Sequence, residues 1–515
     1  MIVGKLKELI KMIREILENI QNNLDVRKNL IALKNEIKEV AGKHALLYAI
    51  GNELQMFYDL LKEEDPKIRK NVATILGKLG VQESLNHLFQ AYEKEQTLFV
   101  KSSYLSAMKE LDYRKYLENF KERLHLLKTS TPEEGNEKHI LEEIKLLQEM
   151  IFMMEGVPKH TFCGYNKLSK VILLTNRNYR EITLEQLKSH RGKVFNAGVM
   201  IKTADLEDVL SVRTFSELLF VLDDKSVLEV KEEVGMDELA RHLAKQIGES
   251  SVVSFLEERH KENGPFYFRI ECKNKMDLKQ KSAFTKKLAA YIEKETENKL
   301  ENSTSHYEVE FRLIQNKDGN FNFLIKLFTL KDPRFAYRKQ ALSTSIQPVN
   351  GALVMELAKD YLKPGSQVLD PFCGVGTMLV ERAKFMETGD LYGIDLFGKG
   401  IEAARSNTEL ANIKANYINR DFFDFTHEYL FDEVISNLPR VIGKKTRQEI
   451  TSLYRRFWEK IEEHLKPEGV MVLYCYDRDI FKETLPKSKY CIKEEFEISK
   501  KEGAYCFVVQ FCNAC

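Results

Sequence analysis

The sequence predicts a multidomain protein with an all-helical N-terminal region, an α/β middle region and a doubly wound α/β C-terminal domain. Up to about Leu127, amphipathic helical patterns follow one another with almost no glycine or proline. From Lys170 on, the hydrophobic period switches between that of strands and that of helices. In the last third the two alternate strictly, as in a mostly parallel sheet covered by helices on both faces. A chain of 515 residues is too long for one core, and we place the domains at 1–155, 156–345 and 346–515.

The composition is that of a folded protein without an extreme charge. Charged residues make up 30% and hydrophobic residues 43% of the chain, which excludes a disordered protein. The net charge of +1 argues neither for nor against a polyanionic partner, because a basic face can be balanced by an acidic one. The eight cysteines form no paired framework, so we expect reduced thiols in the cytosol. The terminal CNAC has no second cysteine pair or histidine cluster beside it, and no metal site is predicted.

No segment of the chain predicts a membrane protein. The N-terminal stretch MIVGKLKELIKMIREILENI carries a charge every few residues, which excludes a signal peptide and a membrane span. No apolar run elsewhere reaches the ~18 residues that a transmembrane helix needs. We therefore expect a soluble, cytoplasmic protein with no membrane partner.

The N-terminal helices contain an internal repeat, in which Ile68–Gly80 aligns with Val100–Asp112. With the Asp-Pro that precedes it, the first copy resembles the second half of a HEAT-type repeat: Asp-Pro starts a helix, a basic residue follows and an apolar face comes next. HEAT units usually recur every ~40–47 residues, and this spacing is shorter, so an ordinary helical bundle is the alternative. Stacked repeats present a surface to a partner, which makes a protein partner of this region one expectation.

The middle region mixes strands with helices. KVILLTN (170–176) predicts a strand, and LEDVLSVRTFSELLFVL (206–222) predicts a buried helix. YEVEFRLIQNKDGNFNFLIKLF (307–328) predicts a hairpin that turns at Asp318-Gly319.

The middle region ends in DPRFAYRKQ (332–340), where basic residues interleave with aromatic ones. Basic side chains beside flat rings suit an RNA backbone with splayed bases, and a solvated loop is the alternative. The candidate RNA-binding residues of this segment are Arg334, Tyr337 and Arg338.

The C-terminal third places a glycine loop after its first strand, in VLDPFCGVGTMLVE (368–381). In doubly wound sheets the ligand lies beyond the carboxyl ends of the strands, where the strand order reverses. Gly374 and Gly376 let the backbone approach a ligand, but the loop is neither a dinucleotide fingerprint nor a P-loop. It begins with Asp370, which would repel a pyrophosphate and suits a cofactor that carries an ammonium or sulfonium group. The last two strands, YCIKEEFEIS and AYCFVVQFC, are consecutive, so at least one closing strand should be antiparallel.

Acids also stand at the ends of the next two predicted strands. Asp395 can accept the two hydroxyls of a ribose, and Asp421 can face an adenine amine while Phe422 packs on the ring. A sugar, a purine and a cationic amino-acid tail together predict S-adenosylmethionine. The residues expected to bind it are Asp370, Phe372, Cys373, Gly374, Gly376, Thr377, Asp395, Leu396, Asp421 and Phe422.

The fourth strand ends in Asn437-Leu438-Pro439-Arg440, where the methyl group of the cofactor would point. The amine of a purine is a poor nucleophile because its lone pair is delocalised into the ring. Acceptors on its hydrogens free that lone pair, and Asn437 offers a side-chain carbonyl and Leu438 a backbone one. Pro439 fixes its own φ and has no N–H to compete. A strand end followed by a proline turn is the structural alternative.

These motifs resemble a known family. LDPFCGVGTMLVE, SNLPR…GKK and FAYRKQALSTSIQPVNGALVMELA are similar to RNA guanine-N2 methyltransferases that carry a THUMP domain. The resemblance covers roughly Lys170 to the C-terminus. It implies a ferredoxin-like unit plus THUMP that bind RNA, usually tRNA near its acceptor end, and a Rossmann-like catalytic domain that methylates a guanine amine. The N-terminal helices lie outside the pattern.

One residue departs from the family. A Phe or Tyr usually follows the Pro and stacks on the flipped-out base, whereas this chain has Arg440. A guanidinium is planar and can stack or pair with a phosphate, so we expect Asn437, Leu438, Pro439 and Arg440 to form the catalytic corner. Further RNA phosphates would be held by Lys444, Lys445, Arg455 and Arg456.

The sequence therefore predicts an enzyme that transfers a methyl group from S-adenosylmethionine to the N2 amine of a guanosine in tRNA or rRNA. An RNA-binding scaffold protein with an inactive methyltransferase-fold module is the alternative that Arg440 leaves open. Methylation of a DNA adenine amine is a third hypothesis, which the THUMP-like middle region disfavours.

Overall fold

A computed structural model of the chain describes residues 2–51, 54–129, 135–156, 160–187, 190–230, 235–443 and 445–512. The chain divides into two compact units, Met1–Pro158 and Lys159–Cys515. The second unit contains two separate β-sheets, one in the middle region and one in the C-terminal region. The division into three domains at 155/156 and 345/346 stays a prediction.

The first unit is helical in its described residues, which confirms the predicted fold class of the N-terminal region. A 3-10 turn at Arg114–Tyr116 lies between its seventh and eighth helices. Its helices are α1 (Ile2–Gln21), α2 (Val26–Glu36), α3 (Val40–Ile50), α4 (Gln55–Leu60), α5 (Pro66–Leu79), α6 (Ser84–Lys94), α7 (Leu98–Met108), α8 (Leu117–Thr129) and α9 (Glu137–Glu155).

The two copies of the sequence repeat form α5 and α7, which pack against each other. The carboxylate of Asp65 caps α5 by accepting a hydrogen bond from the backbone N of Lys67 at 2.8 Å. The helix ends at Gly80, whose φ of 71° favours glycine. A Cβ on Gly77 would come within 2.6 Å of the Cα of Ala107, so the two helices can approach this closely only with glycine there.

The middle region folds around one mixed sheet. The strand order in its described residues is β2-β3-β1-β4-β9-β8-β6-β7, with β5 beside β9. Its elements are β1 (Ser169–Thr175), α10 (Arg180–Gln186), β2 (Gly192–Phe195), β3 (Gly198–Thr203), α11 (Leu206–Val209), β4 (Phe215–Val221), β5 (Val227–Leu228), α12 (Met236–Gly248), α13 (Val252–Glu257), β6 (Phe266–Lys273), α14 (Leu278–Glu295), β7 (Leu300–Asn302), β8 (Val309–Gln315) and β9 (Phe321–Leu327).

The predicted buried helix over residues 206–222 is wrong. The segment forms the single turn α11 and then the central strand β4, which pairs antiparallel with β1. Consecutive residues of β4, from Leu218 to Val221, are buried. A strand covered on both faces has no alternating pattern, so its apolar run cannot be told from a buried helix by period alone. The hairpin β8–β9 turns at Gly319 (φ 85°), as predicted.

The C-terminal region is a doubly wound sheet, which confirms the predicted α/β class. Within the described residues its strand order is β12-β11-β10-β13-β14-β16-β15, and β16 runs antiparallel to both of its neighbours, as expected for the closing strands. Its elements are α15 (Pro348–Leu357), β10 (Ser366–Asp370), α16 (Thr377–Phe385), β11 (Thr388–Asp395), α17 (Gly398–Leu410), β12 (Asn416–Asn419), β13 (Phe431–Asn437), α18 (Arg447–Ile461), β14 (Leu465–Cys475), α19 (Arg478–Thr484), β15 (Tyr490–Ser499) and β16 (Ala504–Phe511), with 3-10 turns at Lys359–Tyr361 and Phe422–Asp424.

The segment after β9 connects the two sheets and is buried where an RNA contact was predicted. The guanidinium of Arg334 lies 3.4 Å from the ring centroid of Phe215, and it donates to the backbone oxygens of Val212 (3.0 Å) and Phe215 (2.8 Å). Arg334 also pairs with Asp332 at 2.6 Å, and only 5% of its surface is exposed. Its donors are therefore used inside the protein, which corrects its assignment to RNA.

Tyr337 needs the same correction, whereas the assignment of Arg338 to RNA stays a prediction. Tyr337 is 5% exposed, and its hydroxyl donates to Glu381 of α16 at 2.6 Å. Arg338 is half-buried and donates to the backbone oxygen of Ile346 at 3.1 Å and to Gln347 at 3.2 Å. Both side chains hold the connecting segment against the C-terminal domain.

A buried ion pair joins the middle region to the C-terminal domain. Arg213 donates to both carboxylate oxygens of Glu381, at 2.8 and 2.9 Å, and the side chain of Glu381 is fully buried. Bidentate geometry satisfies a buried carboxylate better than a single contact does. Because Arg213 lies in the segment before β4 and Glu381 lies on α16, the pair links the middle region to the C-terminal region.

The cysteines depart from the expected reduced state, because Cys491 and Cys512 form a disulfide in this structure. Cys491 lies on β15, and Cys512 follows β16, the strand that pairs with it. The remainder of the CNAC motif lies outside the described residues. Among the helices that the structure describes, none combines the length and apolar character that a bilayer crossing needs.

Replacing Arg213 by Ala should destabilise the second unit by about 3–5 kcal/mol, because it leaves the carboxylate of Glu381 buried without its cation. Urea unfolding followed through the fluorescence of Trp458, the one tryptophan of the chain, measures the change. The exposed pair Arg241–Asp237 supplies the control, since Arg241→Ala should leave the midpoint unchanged. Equal midpoints for the two variants would contradict a structural role for the Arg213–Glu381 pair.

Candidate active site

A cavity of about 550 Å³ opens at the carboxyl ends of the C-terminal strands. Its floor lies where the strand order reverses, between β10 and β13, which end at Asp370 and Asn437. Open α/β sheets bind their ligands at this point, because the two connections leave in opposite directions and a crevice forms between them. The segment from Leu342 to Ile346, which precedes α15, closes the cavity from the other side.

The carboxylate of Asp370 is the deepest charge of the site. One oxygen accepts hydrogen bonds from the hydroxyl of Ser436 (2.6 Å) and from the backbone N of Phe372 (3.1 Å). The other oxygen is buried without a partner among the described residues. Burial, with a smaller contribution from the charge of Asp395, raises the pKa of Asp370 to about 7, although those two hydrogen bonds lower it. A cation beside the free oxygen would relieve the cost of its ionisation.

The glycine loop wraps around this carboxylate. Gly374 and Gly376 both have positive φ, 51° and 80°, and a Cβ on Gly376 would come within 2.4 Å of the hydroxyl of Tyr417. The backbone N of Gly374 donates to the carboxylate of Asp395 at 2.8 Å. The loop then enters α16 at Thr377, whose hydroxyl is buried without a partner among the described residues.

Two more acids stand at successive strand ends, as the sequence predicts. The other oxygen of Asp395 accepts from the backbone N of Phe397 at 2.8 Å, which fixes the carboxylate while its remaining lone pairs can accept ribose hydroxyls. Asp421 accepts from the backbone N of Phe423 at 3.1 Å and begins a 3-10 turn. Phe422 lines the cavity, but its ring is 2% exposed and packs in the core. The better exposed rings beside an adenine site are therefore Phe397 and Phe423.

The Asn-Leu-Pro-Arg corner is held from several sides. The amide nitrogen of Asn437 donates to the backbone oxygen of Thr344 at 3.4 Å, which leaves the amide oxygen buried without a partner in the described chain. The hydroxyl of the buried Tyr454 donates to the backbone oxygen of Pro439 at 2.8 Å. These contacts hold an unsatisfied acceptor at the bottom of the cavity, where a donor of a substrate could reach it.

Arg440 stacks on an aromatic ring from another strand end. Its guanidinium carbon lies 4.0 Å from the ring centroid of Tyr476, which follows β14. The Nε of Arg440 is buried without a partner among the described residues. An aromatic surface thus exists beside the corner, although the residue after Pro439 is not aromatic.

Most of the predicted site residues line the cavity. Gly376 shapes the loop without lining the cavity, and Lys444 lies outside the described residues. The predicted residues that line it are Asp370, Phe372, Cys373, Gly374, Thr377, Asp395, Leu396, Asp421, Phe422, Asn437, Leu438, Pro439, Arg440, Lys445 and Arg456. Sequence reasoning missed Leu342, Ser343, Thr344, Ser345, Ile346, Pro371, Val375, Met378, Phe397, Phe423, Ile442, Leu453 and Tyr476.

Two signals could have indicated the missed residues. Leu342–Ile346 lies in the stretch LSTSIQP just before a helix, and small hydroxyl residues before a helix indicate a segment held close to a ligand or a cap. Tyr476 follows the apolar run of β14, at the fifth strand end of the same sheet edge.

Comparison with known proteins agrees with this geometry. Residues 336–502 match the UPF0020 family, described as an RMKL-like methyltransferase domain. The carboxy-S-adenosyl-L-methionine synthase of Nautilia profundicola is 26% identical over 152 residues, or 29% of this chain and 60% of that protein. The tRNA (guanine(10)-N2)-dimethyltransferase of Methanothermobacter thermautotrophicus is 28% identical over 139 residues, or 27% of this chain and 40% of that protein.

The chain thus spans about half the length of these curated relatives. A solved structure of SMU.472 in complex with SAH aligns with 68% of this chain and 99% of its own, at 13% identity and a TM-score of 0.50, which shows a shared fold.

The site and the relatives lead to the same cofactor. The unpartnered oxygen of Asp370, the carboxylate of Asp395 at the second strand end and the open glycine loop fit a cationic, ribose-containing ligand without phosphates. The C-terminal domain is a methyltransferase domain, and its cofactor is S-adenosylmethionine.

Replacing Asp370 by Asn should weaken cofactor binding and stabilise the ligand-free protein at high pH. The folded-state pKa of about 7 lies above that of an unfolded aspartate, so the free energy of unfolding falls as the pH rises from about 4 to 7. At pH 8 the carboxylate is ionised in both states, and the whole cost of burying its charge is present. D370N should therefore unfold at a higher temperature than the parent at pH 8, and the difference should shrink towards pH 5.

Isothermal titration calorimetry at pH 6 and pH 8 measures the affinity for S-adenosylmethionine. The parent should bind S-adenosylmethionine more tightly at pH 8, where Asp370 is ionised, and D370N should lose that part of the pH dependence. The exposed Asp479→Asn variant is the control. Parent-like affinity of D370N at both pH values would refute the role of this carboxylate.

Proposed function

We propose that this protein is an RNA methyltransferase that transfers a methyl group to the N2 amine of a guanosine in tRNA or rRNA. The observation that carries the proposal is the buried, unpartnered amide oxygen of Asn437 at the bottom of the cofactor cavity. An acceptor of this kind is costly to leave unsatisfied, and a substrate –NH₂ group satisfies it.

The corner acts on the amine by hydrogen bonding. With Asn437 and the backbone oxygen of Leu438 accepting its two hydrogens, the nitrogen moves towards a tetrahedral shape and its lone pair leaves the ring. S-adenosylmethionine supplies an activated methyl group on a sulfonium centre when it is bound. Asp370, Asp395, Asp421 and the glycine loop would hold it. The chain would thus fix the methyl group and the amine in a reactive orientation, and orientation alone can accelerate a reaction by a large factor.

Two features support RNA as the substrate. Arg440, Lys445 and Arg456 line one side of the cavity, where they would meet phosphates. The relative from Methanothermobacter thermautotrophicus, a tRNA guanine-N2 enzyme by name, supports guanine as the base. We further propose that region 156–345 is a ferredoxin-like unit plus a THUMP-like unit that bind RNA, and that the N-terminal helices are HEAT-like repeats.

Arg440 can replace the aromatic residue that family members use. Stacked on Tyr476, its guanidinium is held flat and presents one face for the flipped-out base, while its unpartnered Nε–H, which lies in the guanidinium plane, can donate to an acceptor of the RNA beside the stacked base. The pair would thus supply both a stacking surface and a positive charge.

A second candidate follows from the same residue. If Arg440 prevents the base from entering, the domain would bind cofactor without transferring methyl groups, and the protein would be an RNA-binding scaffold. The intact acceptors of the corner favour the enzyme.

Replacing Asn437 by Ala should reduce methyl transfer by at least a hundredfold and leave cofactor affinity unchanged, because it removes an acceptor that acts on the amine. Purified variants incubated with labelled S-adenosylmethionine and total tRNA or rRNA measure transfer, followed by nucleoside mass spectrometry. Asn416→Ala, on an exposed position of β12, is the matched control. Cofactor binding by the parent without transfer to any RNA would favour the scaffold, and label in protein or in DNA adenine would refute the RNA assignment.

Substitutions of Arg440 should separate stacking from charge. Arg440→Phe should keep most of kcat/KM, whereas Arg440→Leu should lower it about tenfold or more, since stacking on a flat group contributes about 1–3 kcal/mol per base. Tyr476→Leu should resemble Arg440→Leu because it removes the support of the guanidinium. If Arg440→Phe lost as much activity as Arg440→Leu, charge rather than stacking would be the function of this residue.

A further inference from the structure

Five lysines form a cluster on the N-terminal helical unit, on and beside helices α2, α3 and α5. We call it the lysine cluster, and its members are Lys34, Lys38, Lys43, Lys70 and Lys78. Lys38 and Lys70 are exposed, and the other three are partly buried.

The fold holds these side chains together. The ammonium of Lys34 on α2 donates to the amide oxygen of Asn71 on α5 at 2.8 Å. Lys78, two turns further along α5, donates to the backbone oxygen of Lys34 at 3.2 Å. Burial lowers the pKa of Lys34, and the charges of Lys70 and Lys38 lower it further. Burial also lowers the pKa of Lys78, together with the charges of Lys38, Lys34 and Lys43.

Within the described residues, no member of the cluster has a carboxylate oxygen within 4 Å. Other lysines of the same unit are paired: Lys62 with Asp59 (3.0 Å), Lys109 with Glu149 (2.8 Å) and Lys121 with Glu118 (2.9 Å). Those three ammonium groups are neutralised by carboxylates, whereas the ammonium groups of the cluster repel one another.

The basic surface continues along the groove between α2 and α5. Arg27 and Lys28 line a depression together with one acid, Asp25, and with Asn23, Val26, Ile31 and Ile68. Lys67 lies one residue before Ile68 on α5. From Lys67 to Lys78, α5 rises ~17 Å, which is enough to follow several phosphates of one strand.

We propose that the lysine cluster binds the phosphate backbone of RNA. The occupant is RNA because the five ammonium groups, together with Arg27, Lys28 and Lys67, spread positive charge along α2 and α5, and a phosphate backbone carries its charges in such a row. The ring of Phe99, whose centroid is 5.7 Å from the ammonium of Lys70, adds a flat group beside the strip. The proposal goes beyond the methyl-transfer site and rests on the proposed function only for the identity of the RNA.

A charge-removing variant of the full chain tests the proposal. Lys38, Lys43 and Lys70 are changed together to Gln, since their ammonium groups make no hydrogen bond within the described residues. Binding of fluorescently labelled bulk tRNA is measured by anisotropy over a series of KCl concentrations. The affinity should fall at least tenfold at low salt, and the slope of log K against log[KCl] should flatten by about two to three, because each lost phosphate contact contributes about 0.7–0.9.

The matched control removes the same charge from the same unit. The triple variant Lys62→Gln, Lys109→Gln, Lys121→Gln takes away lysines that are already paired with carboxylates, and it should keep the parental slope. Circular dichroism checks that both variants remain helical. An unchanged slope in the cluster variant overturns the proposal, as does unchanged tRNA binding accompanied by loss of an acidic protein partner.

The outcome is independent of the methyl-transfer proposal. Binding of tRNA is read without cofactor, so a parent protein that transfers no methyl group can still show the salt-dependent contribution of the cluster. If transfer occurs, the cluster variant should raise KM for tRNA and leave kcat unchanged, because these residues lie in a different compact unit from the cofactor cavity.

Discussion

The buried carboxylate of Asp370 is the constraint on which the catalytic site depends. It lies at the end of β10, is tied to β13 by the hydroxyl of Ser436, and keeps one oxygen without a partner in the described chain. An acid in this position weakens the ligand-free fold, because its charge is costly to bury, and the compensation comes from a cationic ligand. The shape of the glycine loop and the position of Asp395 follow from the same requirement, since both surround the space in which that cation would lie.

The second constraint is the orientation of the middle region on the C-terminal domain. Glu381 lies on α16, the helix that follows the glycine loop. Its carboxylate accepts hydrogen bonds from the guanidinium of Arg213 and from the hydroxyl of Tyr337. The connecting segment that carries Tyr337 then leads to Thr344, whose backbone oxygen orients the amide of Asn437. The contact between the middle region and the C-terminal region is therefore linked through one short segment to Asn437, the acceptor in the proposed chemistry.

The basic residues of this protein differ in whether their charge is paired. Arg334 and Arg213 are basic residues beside aromatic rings, and both are consumed by carboxylates and backbone oxygens. Arg440 also lies beside an aromatic ring, that of Tyr476, but its Nε has no partner among the described residues. The lysine cluster of the N-terminal unit is likewise unpaired. Its like charges are held together, and the described residues place no carboxylate oxygen within 4 Å of them.

The sequence by itself determined the fold class of both ends of the chain, because helical period and strict strand–helix alternation are local patterns. It also determined the acids and glycines at successive strand ends, since parallel strands bring their carboxyl ends to one edge and chain order then implies proximity. Only the tertiary structure decided the features that depend on burial and on side-chain partners. Residues 215–221 form a strand, Arg334 and Tyr337 are buried, and the ring of Tyr476 stacks on Arg440. These facts depend on contacts between residues far apart in the chain, and a local pattern carries no information about which partner a side chain will meet.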